Sequence, residues 1–139
     1  MQRLERPTGD VRLGPGAEMT ELRSAVDTAV LGQLRESVGD DPEFLAELVD
    51  EFLQDAPTQL ETLREATTGG DATAAMRAAH TLKGNSRTFG ATQLASICQE
   101  AETAAGGGDL EAVRSRLDPI DDEWHRVSAE LVALRDGQG

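Results

Sequence analysis

Near the C-terminus, apolar side chains recur at positions 110, 113, 117, 120, 124, 127, 131 and 134. Steps of three and four keep every one of them on one side of an α-helix and form the seam of a helix bundle. A strand would instead need apolar residues at every second position. Composition agrees, since alanine and leucine dominate and aromatic residues make up only 3% of the chain. Such a chain suits packed helices better than a sheet of β-branched and aromatic side chains. With 139 residues, 38% of them hydrophobic, the chain suffices for one domain with a modest core and is too short for two.

The remaining segments follow the same logic. Residues 1–24 contain Pro7, Pro15, Gly9, Gly14 and Gly16 with no sustained apolar period. They read as a flexible extension with a short helical stretch from Ala17 to Ser24. Asp27 caps a short helix carrying Val30, Leu31 and Leu34, which ends near Gly39. Asp41-Pro42-Glu43 opens a longer one: a capping carboxylate, proline at the first helical position, and an acid at the positive end of the dipole. Its stripe runs from Phe44 through Leu48, Phe52, Ala56 and Leu60 to Leu63, with a kink expected at Pro57, and Gly69-Gly70 stops it. Asp71 caps a third segment through Ala75, Ala79, Leu82 and Ser86, broken at Gly90 after Phe89. A fourth carries Leu94, Ile97, Cys98, Ala101 and Ala105 and closes at Gly106-Gly107-Gly108; the last opens at Asp109, with a kink or restart expected at Pro119. The predicted fold is all-α: an antiparallel four-helix bundle with a short additional N-terminal helix across one end, spanning 25–135, with 136–139 as a flexible tail.

Charge and sparse functional groups exclude much. Lysine and arginine total 13 against 26 acidic residues, so a net charge of −13 repels nucleic acid and anionic membranes. The single cysteine, Cys98, permits no intramolecular disulfide and fits a reducing cytoplasm; its place on an apolar stripe makes it a core residue rather than a nucleophile. The N-terminus lacks the apolar core of a signal peptide, and no apolar run approaches the ~18 residues of a membrane span. Two distant histidines and one cysteine make no zinc site, and without a glycine-rich phosphate loop the chain is not expected to bind ATP alone. His125, beside Trp124, reads as structural or surface.

Chemistry concentrates in the third segment, Ala78-Ala79-His80-Thr81-Leu82-Lys83-Gly84-Asn85-Ser86-Arg87. On a helical wheel Arg77 and Lys83 lie about 60° to either side of His80, Gly84 about 40° away and Arg87 about 20°. Leu82, Ala79, Ser86 and Phe89 fall on the far side, so His80 faces solvent among cations and one glycine. A neutral imidazole is a nucleophile, and the two negative charges of a phosphoryl group could be partly neutralised by Lys83 and Arg87. Gly84 costs about 1 kcal/mol against alanine in a helix and leaves an open notch beside the ring. An exposed helical histidine is also a common surface residue, and spacing alone leaves both readings open.

His80-Thr81-Leu82-Lys83-Gly84, followed by Ser86, Phe89, Gly90 and Ala91, closely resembles the motif of histidine-containing phosphotransfer (HPt) domains. Gly39-Asp40-Asp41-Pro42 with Phe44-Leu45, then Phe52-Leu53 with Ala56-Pro57, and Leu94, Cys98 and Ala101-Glu102 before Gly108-Asp109-Leu110, resemble the family's helical frame from Asp27 to Leu134. The resemblance implies phosphorylation of His80 on Nε2, electrostatic help from Lys83 and access through Gly84; Glu102, at the matching position, reads either as a hydrogen-bonding partner near the histidine helix or as an ordinary surface carboxylate. It also implies receiver docking on the short first helix and the start of the second, here Val30, Leu34, Phe44 and Leu48. The implied partners are response-regulator receiver domains and a (hybrid) histidine kinase. A receiver's own acidic pocket supplies Mg²⁺, so no cofactor or metal is expected here, and a monomer is. The protein would be a phosphocarrier modified stoichiometrically rather than an enzyme. Asn85 replaces a frequent serine, and Gly106 stands where the family often has arginine, which weakens the expectation of a second cation from the fourth helix. The alternatives are the phosphorylated input domain of a chemotaxis-type kinase, which the end of the chain at Gly139 without a kinase domain disfavours, and a receiver-binding adaptor, which the intact His80-Lys83-Gly84 set disfavours.

Overall fold

The computed structural model describes residues 24–137. The flexible extension expected at 1–24 lies outside the described residues, Ser24 apart. Five helices and no strand occur among the described residues: α1 (Thr28–Ser37), α2 (Pro42–Gly69), α3 (Ala72–Thr88), α4 (Thr92–Gly106) and α5 (Leu110–Gly137). Helix α5 thus continues two residues past the expected domain end at 135, with Arg135 Nε bonded to Asp136 at 2.9 Å.

Local chemistry sets most of the boundaries. Carboxylates of Asp27, Asp41, Asp71 and Asp109 accept from the first-turn amides of Ala29, Glu43 and Phe44, Ala74, and Ala112, supplying partners that a helix N-terminus otherwise lacks. Helix α2 ends on Gly70 in the left-handed conformation. Pro57 and Pro119 sit on exposed positions inside helices that run on unbroken. Only α4 starts without a side-chain cap, after Ala91.

Helices α2 to α5 form the bundle, with α2 closing against α5 and short α1 touching α2 and α3. The core comprises Val49, Phe52, Ala56 and Leu63 of α2, Ala75, Ala79 and Leu82 of α3, Leu94, Cys98 and Ala101 of α4, and Val113, Leu117, Ile120, Trp124, Val127 and Leu131 of α5. Phe52 stacks on Phe89 with centroids 4.7 Å apart and meets Trp124 edge-on at 5.1 Å. The Cys98 thiol is buried, which pushes its pKa up to about 12 and leaves it inert.

The segment before α1 is held from two sides. Glu130 of α5 accepts from Ser24 Oγ (2.7 Å) and from the amides of Ala25 (2.7 Å) and Val26 (3.0 Å). Burial opposes ionisation of Glu130, but these donors outweigh it and hold its pKa below the usual carboxylate range. On the other side the Asp27 amide donates to Gly90 O at 2.7 Å. Gly90 has φ +78°, and a Cβ there would meet Asp27 O at 2.6 Å. Only glycine fits this close approach.

Candidate functional site

Helix α3 presents opposite faces to the core and to solvent. Ala75, Ala78, Ala79, Leu82 and Ser86 are buried, while the His80 side chain, 66% exposed, stands on the outer crest. Toward α4, His80 Nδ1 lies 2.9 Å from Glu102 Oε2. The other oxygen of that carboxylate forms an ion pair with Lys83 Nζ at 2.6 Å. Lys83 also donates to Gln99 Oε1 at 3.2 Å, and Arg87 Nη2 reaches the same oxygen at 3.5 Å. Gln99 Nε2 in turn donates to Thr103 Oγ1 at 3.2 Å.

Lys83, foremost, and then His80 hold the Glu102 carboxyl below the usual carboxylate range against the effect of burial. An ionised carboxylate can only accept, so its bond to Nδ1 requires the proton on that nitrogen. The neutral ring therefore carries its lone pair on Nε2, the nitrogen turned away from Glu102.

On the other flank of the crest, toward α2, Gly84 is exposed, and a Cβ built on it would meet nothing within 4 Å. No packing requirement calls for glycine at this helix-interior position. Beyond it, Asn85 Nδ2 lies 3.5 Å from Asp55 Oδ2 of α2.

The geometry brings His80, Lys83, Gly84, Arg87 and Glu102 into one neighbourhood. Lys83 is more committed than its spacing suggested: its side chain is only 12% exposed and is paired with Glu102, whereas Arg87 is exposed. Gln99 was not singled out from the sequence. The available signal was its place one turn before Glu102, which puts both on one face of α4. Helix α4 contains no lysine or arginine; it meets the histidine with the Glu102 carboxylate and the cations of α3 with the Gln99 amide. Of the residues expected to dock a receiver, Phe44 is 45% exposed, while Val30, Leu34 and Leu48 are half-buried, the last two against the rim of the core. His125 is exposed on α5 with its Nδ1 bonded to Asp121 O at 2.8 Å. No described helix is long and apolar enough to cross a membrane.

Residues 47–136 match the family model described as Hpt domain. The chain belongs to the Hpt domain family. It is similar to the crystal structure of histidine-containing phosphotransfer protein B from Pseudomonas aeruginosa PAO1, with 31% identity over 81% of this chain and 95% of that one and a TM-score of 0.74. The fold is also that of the HPT domain of a sensor hybrid histidine kinase from Shewanella (18% identity, 81% and 95% covered, TM-score 0.66). A histidine-containing phosphotransfer protein of maize shares it as well (21%, 88% and 94%, 0.70). No curated protein matches the chain.

Proposed function

We propose that this Hpt domain carries a phosphoryl group on Nε2 of His80, taking it from the aspartyl phosphate of one receiver domain and passing it to the aspartate of another. The observation that carries the reading is the Glu102 bond to Nδ1, which leaves Nε2 nucleophilic and outward beside the open side of Gly84. Its lone pair attacks phosphorus; the N–P bond forms, the P–O bond to the receiver's aspartate breaks, and the carboxylate leaves with the electron pair. The ring becomes a phosphoimidazolium that keeps its proton on Nδ1, where the charge of Glu102 stabilises it. That cationic ring is a good leaving group, which suits it to the second transfer. Lys83 fixes Glu102 in place, and Arg87, exposed and held only by its 3.5 Å contact with Gln99, is the cation that swings toward the phosphoryl oxygens. Mg²⁺ comes with the receiver, and this chain acts as a stoichiometric, monomeric carrier in the cytoplasm, with Val30, Leu34, Phe44 and Leu48 forming the apolar part of its docking surface.

The test is incubation with phosphorylated receivers. The chain should acquire an acid-labile, base-stable phosphate, which His80→Gln abolishes and His125→Gln leaves intact. Persistent labelling of His80→Gln would end the reading. With ATP and Mg²⁺ alone the chain should stay unlabelled.

A further inference from the structure

Helices α2 and α3 differ sharply in charge. Helix α2 holds Glu43, Glu47, Asp50, Glu51, Asp55, Glu61 and Glu65 against a single base, Arg64. Helix α3 holds Arg77, Lys83 and Arg87 and no acidic residue. Phe44, Leu48, Glu51 and Asp55 fall within about 60° of one another around α2, with Glu47 about 40° beyond the edge of that arc. Leu48, Glu51 and Asp55 line a groove with Asn85 and Thr88 of α3. Phe44 is, with Val132, one of two large apolar side chains exposed among the described residues. No lysine or arginine pairs with Glu47, Glu51 or Asp55 among the described residues, although like charges one turn apart repel.

The Asp55–Asn85 contact fixes how this face relates to His80. His80 lies five residues, or ~7.5 Å, along α3 from Asn85, and Leu48 lies seven residues, or ~10.5 Å, the opposite way along α2 from Asp55. A footprint covering both is ~18 Å long and ~24 Å if it reaches Phe44, within the extent of a standard interface of about 800 Å² per partner. A domain that brings an aspartate to Nε2 over Gly84 and extends from there along α2 covers the α2 carboxylates as well.

We propose that this face takes a receiver whose own contact surface carries both signs: lysine or arginine around an apolar contact over Phe44, Leu48, Glu51 and Asp55, and its acidic phosphorylation pocket over the cations of α3. The pairing of signs orients the partner, because a reversed receiver would set like charges against each other on both helices. This inference rests on His80 being the phosphorylated residue and adds the chemistry of the partner.

The experiment compares two triple charge reversals with the same change in net charge. One is Glu47→Lys, Glu51→Lys and Asp55→Lys on α2; the other is Glu111→Lys, Asp118→Lys and Asp122→Lys at exposed positions of α5. Circular dichroism checks folding, and Glu51→Gln alone supplies a milder α2 variant. The probe is the phosphorylated receiver, from a panel of the source organism's receivers, that labels the wild-type chain fastest. The α2 triple should lower the transfer kcat/KM at least ~10-fold at low salt and flatten its decline with added salt. Glu51→Gln should lower it ~2–3-fold, and the α5 triple should stay within ~2-fold of wild type. Equal losses in both triples would mean that only net charge matters, and no loss in either would mean that the receiver does not contact α2; each result overturns the inference while labelling of the wild type leaves the His80 reading standing. A wild type that no receiver labels would sink that reading itself.

Discussion

The clamp before α1 and the outer crest of α3 are each built from one carboxylate and one glycine, and they use them in opposite ways. In the clamp, Glu130 spends its oxygens on donors from Ser24, Ala25 and Val26, and Gly90 lies where a Cβ would strike a carbonyl. On the crest, Glu102 holds a ring that is mostly in solvent, and Gly84 borders empty space. The fold alone accounts for the first pair. The second pair gains nothing internal from the glycine, and it is the proposed transfer to a partner that gives the open side a use.

Replacing the clamp glycine should have the largest effect on stability. Gly90→Ala forces a side chain into the left-handed region, worth about 1–3 kcal/mol by itself, and adds the clash with Asp27 O. Thermal denaturation should show a drop of many degrees, and an unchanged melting temperature would mean that the turn relaxes freely. Glu130→Ala comes next. It strips partly buried amides of their acceptor, at about 1–3 kcal/mol for an unsatisfied donor, and should lower stability in urea titration without slowing phosphotransfer in the protein that remains folded.

The crest should respond the other way round. Glu102→Ala should slow transfer on the order of 10-fold, equal to about 1.4 kcal/mol of lost transition-state stabilisation, with a smaller change in melting temperature. If stability collapses while the folded fraction transfers normally, Glu102 belongs with Glu130 as a structural anchor. Gly84→Ala should have the smallest effect, raising stability by up to about 1 kcal/mol, whereas Gly84→Gln should keep that stability and slow transfer by filling the notch. Full-rate transfer by the glutamine variant would remove the access role.

Acid sharpens the same contrast. Both carboxyls have folded-state pKa values below their ordinary range, so each contributes stability that is fully present above the unfolded value of about 4.3 and is lost as pH falls through the lower folded value. An acid titration of the wild type should lose stability in that window, and Glu130→Gln should remove part of the slope.

Much of this was legible in the sequence where the determining chemistry is local. Capping aspartates, stop glycines and the seam of α5 act within one or two turns, and the ring of Lys83, Gly84 and Arg87 around His80 follows from helical geometry alone. What the sequence did not reveal depends on register between helices. Gln99 meets Lys83 and Arg87 only because α4 slides to one particular level against α3. Glu130 finds Ser24 across 106 residues of chain and bonds mainly to backbone, which no side-chain pattern advertises. For that reason Ser24 reads in the sequence as part of the flexible extension, whereas its hydroxyl is held by α5. The commitment of Lys83 to Glu102 was likewise invisible, since spacing along α3 says nothing about what faces it.

The aromatic trio has a practical corollary. Trp124 is the only tryptophan and the chain has no tyrosine, so ultraviolet emission arises almost wholly from one indole seated against Phe52, which stacks in turn on Phe89 at the end of α3. That indole is a built-in fluorophore at the junction of α2, α3 and α5. Its emission maximum should move to the red when the junction opens, giving every variant above an optical readout of folding without an added label.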